Sequence, residues 1–197
     1  MLYEMEDIKM IFKRSMNKHE TILYNSSISF IKFRTKKLVE EIDFLISNPS
    51  KINFVNSFNA KFFFDQMKND EERIEYLKQL KDKLLLMNEC EKVKVKVGTF
   101  LHPICWLYEL GLLLEQTENF KNIGTTLKQF EMHGFCVPFK IGKPIMITFR
   151  VFQRGEEELN QILSHELTHS LMNTKDINAT DYKKAINDAW TICMLYI

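Results

Sequence analysis

The chain has 197 residues, of which 45% are hydrophobic and 27% charged, and its formal net charge at pH 7 is +1. This composition is typical of a soluble globular protein and argues against a disordered or fibrous one. The near-neutral charge, with no basic run interleaved with aromatic residues, argues against nucleic acid as a partner. No apolar run is as long as a membrane span. No secretory signal is visible either, so we expect a cytoplasmic protein or one exported by a signal-independent route.

The length predicts a single domain over residues 1–197, because a chain of this size can bury one core. Within it we expect a helical N-terminal part over residues 1–90, followed by a sheet and further helices over residues 91–197. The cysteines are far apart and form no CxxC pair: Cys90, Cys105, Cys136 and Cys193. This pattern indicates reduced core cysteines rather than a disulfide framework.

Two apolar stripes at helical spacing predict two helices in the N-terminal part. The first helix ends at Asn48-Pro49-Ser50, and its stripe consists of Ile28, Ile31, Leu38, Ile42, Leu45 and Ile46. The second lies between Asp70 and Met87, and its stripe consists of Ile74, Leu77, Leu80, Leu84 and Leu85.

The middle of the chain predicts the sheet. Lys92 to Val97 alternates lysine and valine three times, which predicts a half-buried strand with a lysine-covered outer face, suited to a sheet edge. The apolar segment Phe100 to Phe130 predicts one or two helices. Phe135 to Ile141 and Ile145 to Phe152 predict two strands joined by a Gly-Lys-Pro turn, and Pro138 favours an edge position for the first. The expected fold class is α+β, mainly helical with a small antiparallel or mixed sheet.

A glycine and a run of carboxylates mark the next helix. Gly155 breaks the chain, and the three glutamates after it suit the positive end of a helix dipole, so we expect a helix over 156–172. A last helix is expected to begin near Thr180 or Asp181. Its buried face carries Tyr182, Ala185, Ile186, Ala189 and Cys193.

Residues 165–169 read His-Glu-Leu-Thr-His. On a helix, His165 and His169 lie one turn apart on the same face, so both can reach one metal ion. Glu166 would then take a proton from an attacking water and pass it to the leaving amine of a peptide bond. The apolar stripe of this helix lies roughly opposite both histidines, which indicates that another part of the chain covers or uses the histidine face. The pattern favours a zinc site with Glu166 as its catalytic residue.

A catalytic zinc ion normally has three protein ligands and one open position. The residues after His169 contain no histidine and no glutamate, which leaves Asp176, Asp181 and Asp188 as candidates, with Cys193 as an outsider. Asp176 is favoured over Asp181, because it follows His169 closely and Asn173-Thr174-Lys175 supplies turn-forming residues. His102 and His133 are interpreted as surface or hydrogen-bonded histidines, and they become alternative ligands only if the aspartate assignment is wrong. Trp106 and Trp190 are interpreted as core residues rather than substrate platforms.

At these residues the chain resembles the aspzincin metallopeptidases, the group of deuterolysin and the peptidyl-lysine metalloendopeptidases. In that family HExxH is followed by a Gly-Thr-x-Asp-type segment whose aspartate is the third zinc ligand, and Asn173-Thr174-Lys175-Asp176 takes that place here. The resemblance covers roughly the last third of the chain, from Phe135 to Trp190. It implies a zincin-like fold in which the substrate adds as an extended strand to an edge strand above the active-site helix. Phe135 to Ile141 is the candidate edge.

The chain departs from the family pattern in three places. Asn173 replaces a glycine, and asparagine also accepts left-handed turns. The family's tyrosine falls on Ala179, so Tyr182 is the nearest tyrosine that could stabilise an oxyanion. A stretch linked to lysine preference aligns with Asn187-Asp188-Ala189, which puts Ala189 where an acidic residue is expected and Asp188 beside it.

The sequence therefore predicts a zinc-dependent endopeptidase that hydrolyses protein or peptide substrates. Two alternatives remain open. One is a protease effector or toxin acting in a target cell, which differs in biology but not in chemistry. The other is a non-catalytic zinc- or protein-binding pseudo-peptidase. Glu166 argues against the second, because a purely structural zinc site does not need that carboxylate.

Overall fold

The computed structural model describes residues 13–49, 51, 62–99, 103–128, 134–136 and 144–197. Within these ranges the chain is mainly helical and carries a small mixed sheet, so the expected α+β fold class is confirmed. None of the helices in the described part is both long and apolar enough to cross a membrane.

The first long helix is confirmed. A short strand, β1 (Lys13–Arg14), leads into α1 (Lys18–Ser47). Asn17 begins α1 with a capping box, in which its side chain accepts a hydrogen bond from the amide of Glu20 and the Glu20 carboxylate accepts one from the amide of Asn17. Most of the predicted stripe of α1 is buried: Ile28, Ile31, Leu38, Ile42 and Leu45.

The second predicted helix is α2 (Asp70–Leu85), which Asn69 caps and which packs against α1. Leu77, Leu80 and Leu84 are fully buried, as the stripe predicts. Leu85 is exposed, because it lies about 100° around the helix from Leu84 and a 3₁₀ helix, Leu86–Lys92, follows directly.

Four short strands form the sheet in the order β1-β2-β4-β3, where β2 is Val95–Gly98, β3 is Gly134–Cys136 and β4 is Ile145–Thr148. The β2 strand pairs antiparallel with β1 and parallel with β4, and β3 pairs antiparallel with β4. The sheet is therefore mixed, with β4 buried along its whole length.

The predicted strand at Lys92 to Val97 needs two corrections. It begins only at Val95, because the 3₁₀ helix extends to Lys92. It is also not an edge, because β1 pairs with its outer side. The alternation itself holds: Lys94 and Lys96 are exposed and Val97 is buried.

Of the two strands predicted after residue 134, the second is shorter than expected, and the described part of the first is β3, because residues 137–141 lie outside the described ranges. The β3 strand lies at one end of the four described strands, which agrees with an edge position, and Pro138 lies outside the described residues. The β4 strand ends at Thr148, and the apolar residues after it form α5 (Phe149–Arg154) instead of extending the strand. A short apolar run does not distinguish a strand from a buried helical turn.

The segment Phe100 to Phe130 contains two helices, α3 (Pro103–Glu115) and α4 (Lys121–Lys128), joined by a 3₁₀ helix. The two helices cross closely at Gly111 and Gly124, where a Cβ added to Gly124 would lie 2.7 Å from the Gly111 carbonyl oxygen. Trp106 in α3 is 50% exposed, so its prediction as a core residue is wrong.

The predicted helix over 156–172 is α6 (Glu156–Met172). Gly155 separates α5 from α6 with a φ of 110°, a backbone conformation that favours glycine. The α6 helix packs against α1, α5, β3 and β4, so the segment that carries His-Glu-Leu-Thr-His lies between the helical N-terminal part and the sheet.

The prediction of a single last helix is wrong. Two short helices replace it, α7 (Tyr182–Ala185) and α8 (Ala189–Cys193), followed by a 3₁₀ helix, Met194–Tyr196. The break lies at Asp188, which forms a bridge with Lys175 and caps α8. The predicted face is still largely buried, through Ala185, Ile186, Ala189 and Cys193. Cys90 and Cys193 are buried and form no disulfide, which agrees with the cysteine interpretation for these two; the side chains of Cys105 and Cys136 lie outside the described part of the chain.

Candidate metal centre

Three side chains that the sequence singles out converge at the C-terminal end of α6. His165 Nε2 lies 3.1 Å from His169 Nε2 and 3.2 Å from Asp176 Oδ1, and His169 Nε2 lies 3.4 Å from Asp176 Oδ2. The histidines come from one face of α6, and Asp176 comes from the loop that follows it. Within the described residues, these three side chains are of types that bind metals and lie close enough together to hold one metal ion.

The hydrogen bonds of His169 fix which of its nitrogens faces the cluster. Its Nδ1 lies 2.9 Å from the backbone carbonyl oxygen of Thr174, and a carbonyl can only accept, so Nδ1 donates its hydrogen there. The neutral ring then presents an Nε2 lone pair to His165 and Asp176. Metal-binding histidines normally donate the hydrogen of their other ring nitrogen in this way.

The cluster brings a nitrogen or oxygen atom of three side chains within 3.1–3.4 Å of one another. The Asp176 oxygens and the His169 Nε2 are acceptors, and His165 Nε2 faces both. Burial lowers the pKa of His165, and the nearby His169 imidazole lowers it further, which favours the neutral form of His165 that a metal ion requires. The separations of 3.1–3.4 Å match the distance of about 3.3 Å between ligands of a tetrahedral ion with bonds of roughly 2.0–2.1 Å. The donor set therefore fits a divalent cation.

Glu166 lies beside the first histidine and is buried. Its Oε2 has no hydrogen-bond partner among the described residues. Burial raises the pKa of Glu166 to about 8, and the negative charge of Asp176 adds to this effect. Buried carboxylate oxygens are normally hydrogen-bonded, because leaving one unpaired costs free energy. An unpaired one next to a candidate metal centre is typical of a proton-transfer residue.

The turn between α6 and Asp176 is built by residues that accept unusual backbone geometry or cap the helix end. Asn173 is left-handed, with a φ of 54°, as its place in the predicted turn suggests. The Thr168 hydroxyl donates to the His165 carbonyl oxygen and lies 2.9 Å from the hydroxyl of Thr174. Because Thr168 and Thr174 are both buried, this chain of hydrogen bonds anchors the turn against the helix.

Trp190 covers the face of α6 that carries the histidines. The centroid of its ring lies 4.1 Å from the centroid of the His165 ring, and α8, which carries Trp190, packs on α6. Trp190 is 39% exposed, so its prediction as a core residue is wrong. It also borders an open groove of about 360 Å³, whose other lining residues are Asn178, Ala179, Asp188, Thr191 and Met194. The helical periodicity of α6 shows that something must cover this face, but not which residue does so.

The other candidate ligands have different roles. Asp181 accepts a hydrogen bond from the amide of Lys184 and caps α7. Asp188 is buried and caps α8, and Cys193 donates to the carbonyl oxygen of Trp190. His102 and His133 lie outside the described residues.

Tyr182, the tyrosine proposed for the oxyanion, makes its contact elsewhere. Its hydroxyl donates to Glu72 Oε1 at 2.5 Å, and its ring packs edge-on against Tyr76. Both partners belong to α2, in the N-terminal part. The hydrogen bond to Glu72 therefore argues against a role for Tyr182 in oxyanion stabilisation.

Comparisons of the chain with protein-family models, with curated proteins and with solved structures find no match. Support for a function therefore comes from the arrangement of the residues described above.

Proposed function

We propose that the chain is a zinc-dependent endopeptidase with a zincin-like arrangement, in which His165, His169 and Asp176 hold the metal and Glu166 is the catalytic residue. The convergence of the two histidine Nε2 atoms and the Asp176 carboxylate, together with a buried and unpaired oxygen of Glu166 on the same helix as the histidines, is the observation that carries the proposal. Three protein ligands leave one position open, as in catalytic zinc sites.

Zinc is the favoured metal because of the ligand types. Two imidazoles and one carboxylate suit zinc, whereas magnesium and calcium prefer sites made of oxygen atoms alone. A bound zinc ion supplies Lewis acidity: it lowers the pKa of an attacking water and polarises the carbonyl of the scissile bond.

Glu166 supplies the proton transfers. A carboxylate whose pKa lies near neutrality can accept a proton from the attacking water and return it to the leaving amine, because neither transfer is strongly uphill. The absence of a hydrogen bond to Oε2 from the described residues leaves that oxygen available for the proton. Burial also limits the access of bulk water to the carboxylate, which strengthens its electrostatic interactions.

The substrate of this proposal is a polypeptide in extended conformation. The β3 strand contacts α6 and lies at the end of the described strands, so its outer edge can pair with a peptide backbone by β-augmentation. The groove beside Trp190 would receive a substrate side chain. Ala189 is fully buried and carries no charge, so a preference for lysine would have to depend on Asp188, which lines the groove but already accepts hydrogen bonds from four donors.

The test combines metal analysis with one substitution at Glu166. Purified protein should contain about one zinc per chain, and Glu166→Gln should retain the zinc while peptide cleavage falls by about 10²–10⁴-fold. Glu157→Gln is the matched control, because Glu157 is an exposed glutamate on the same helix. Cleavage by Glu166→Gln at the wild-type rate would contradict the mechanism. A zinc-loaded wild type that cleaves nothing in a broad peptide library would instead favour the pseudo-peptidase alternative.

A further inference from the structure

The segment that carries Asp176 has little packing of its own. Residues 175–178 are exposed, and the Asn178 backbone is left-handed, with a φ of 47°. No helix or ladder of strands includes these residues, and their one isolated bridge joins Lys175 to Asp188. The position of Asp176 relative to α6 therefore has to be fixed by hydrogen bonds rather than by burial.

Asp188 supplies those hydrogen bonds on the C-terminal side of Asp176. Its Oδ1 accepts from the amide of Ile177 at 3.2 Å, and its Oδ2 accepts from the amide of Ala179 at 3.3 Å. On the other side of Asp176, the Lys175 amide donates to the carbonyl oxygen of Asn187, and the Lys175 carbonyl oxygen accepts from the amide of Ala189. The main chain is thus tied to the start of α8 on both sides of Asp176.

The Asp188 side chain is itself rigidly held. It is 2% exposed, and its Oδ2 accepts from both the hydroxyl of Thr191, at 2.7 Å, and the amide of Thr191, at 3.3 Å. Four donors satisfy its two oxygens, which explains how a carboxylate is tolerated in this buried position. One side chain therefore serves both as the cap of α8 and as the anchor of the loop.

We propose that Asp188 is the positioning residue of the metal centre: it holds the loop over residues 175–179 so that Asp176 reaches the two histidines. The inference rests on the metal site of the proposed function. Asp188 acts through the backbone amides on the loop rather than through contact with the metal. Outer-shell partners of this kind typically change metal affinity by about 10–100-fold when they are removed.

The experiment measures zinc affinity by competition with a chelator for wild type, Asp188→Ala, Asp188→Asn and Asp181→Ala. Asp188→Ala should lose about 10–100-fold in affinity. Asp188→Asn should lose less, because its single carbonyl oxygen can still accept from one of the two loop amides, those of Ile177 and Ala179. Asp181→Ala is the matched control, since Asp181 also caps a short helix near the site but does not contact the loop, and its affinity should equal that of wild type.

A second measurement separates positioning from general loss of stability. The visible spectrum of the Co²⁺-loaded protein should differ from wild type in Asp188→Ala but not in Asp181→Ala, because only the first alters the ligand geometry. If Asp188→Ala does not fold, Thr191→Val takes its place in the experiment. This variant removes the shortest hydrogen bond to Asp188 and should also weaken zinc binding. Equal zinc affinity in Asp188→Ala and wild type would overturn this inference and leave the metal site standing. An equal loss in Asp181→Ala would also overturn it. A wild type that binds no zinc would overturn the proposed function itself.

Discussion

At the scale of single residues, the cluster at the end of α6 consists of two imidazole nitrogens and a carboxylate that lie within 3.1–3.4 Å of one another. The tautomer of His169 follows from one hydrogen bond to Thr174, and the low pKa of His165 follows from its burial. Asp176 differs from both, because its side chain is 53% exposed and it reaches the histidines from the outer side. The open side of the cluster therefore lies where Asp176 meets solvent.

Asp176→Ala should lower zinc affinity by more than about 100-fold, because it removes a ligand, and even an outer-shell partner accounts for 10–100-fold. Competition with a chelator measures the loss. Asp181→Ala serves as the comparison, since it is the alternative ligand that the sequence leaves open. A larger loss in Asp181→Ala than in Asp176→Ala would reverse the ligand assignment.

Tyr182→Phe tests whether the aspzincin resemblance extends to the tyrosine. Because the hydroxyl is bonded to Glu72, we expect kcat to change by less than about twofold, with a small decrease in the thermal midpoint. Removal of an oxyanion donor would instead lower kcat by about 10²–10³-fold. Steady-state kinetics on a peptide substrate distinguishes the two results.

At the scale of secondary-structure elements, the site depends on how α6 begins and ends. Gly155 lets the chain reverse from α5 into α6, and Asn173 ends α6 in the left-handed conformation that directs the chain back toward the histidines. Further support comes from α1, which packs along α6. The N-terminal anchorage of α1 is consequently relevant to the stability of the site.

Glu20 links the start of α1 to acid stability. Burial alone would raise the pKa of Glu20, but the bidentate hydrogen bonds from Arg14 and the amide of Asn17 lower it below its ordinary value of 4.5. A lowered pKa stabilises the fold above pH 4.5, and this contribution is lost as the pH falls through the folded-state value.

Glu20→Gln should therefore reduce the free energy of unfolding by about 1–2 kcal/mol at pH 7 and by less at acidic pH, where wild type has lost the same contribution. Urea unfolding between pH 3 and pH 7, followed by circular dichroism, measures the difference. Glu40→Gln is a suitable control, because Glu40 is an exposed glutamate on the same helix. A difference between Glu20→Gln and wild type that grows on acidification would refute the argument.

At the scale of the whole molecule, α6 joins segments that are distant in sequence. It packs against α1 and the sheet, and the 3₁₀ helix near the C-terminus also contacts it. Tyr196 in that 3₁₀ helix lies 2.9 Å from the hydroxyl of Thr35 in α1, and Arg34 donates to the Leu195 carbonyl oxygen. A ligand that binds α6 and its following loop should therefore stabilise the global fold.

Free zinc at about 100 times its dissociation constant should add about 2.7 kcal/mol to the free energy of unfolding, which corresponds to a rise of about 5–10 °C in the thermal midpoint. Differential scanning fluorimetry with and without a chelator measures the shift. His169→Ala should abolish it, because the variant lacks one ligand. The same shift in His169→Ala and wild type would mean that zinc binds elsewhere.

Local features of the sequence determined the end of α1 and the bounds of α6, and they placed two of the three candidate ligands on one helix face. The bounds of α6 follow from Gly155, the glutamates after it and the apolar periodicity, all of which act within a few residues. The shared face of His165 and His169 follows from helical spacing alone. The end of α1 at Asn48-Pro49 is equally local. Such features are set by short-range sterics and hydrogen bonds, which do not depend on the rest of the fold.

Tertiary structure decided what lies against the histidine face. The break of the last helix at Asp188, the interior place of β2 and the contact of Trp190 with His165 all depend on partners that are distant in sequence. The aspartate that binds the histidines and the aspartate that holds its loop look alike in the sequence. They differ because Asp188 accepts hydrogen bonds from the loop amides, whereas the Asp176 carboxylate faces the imidazoles. Only the folded chain brings each aspartate to its partners.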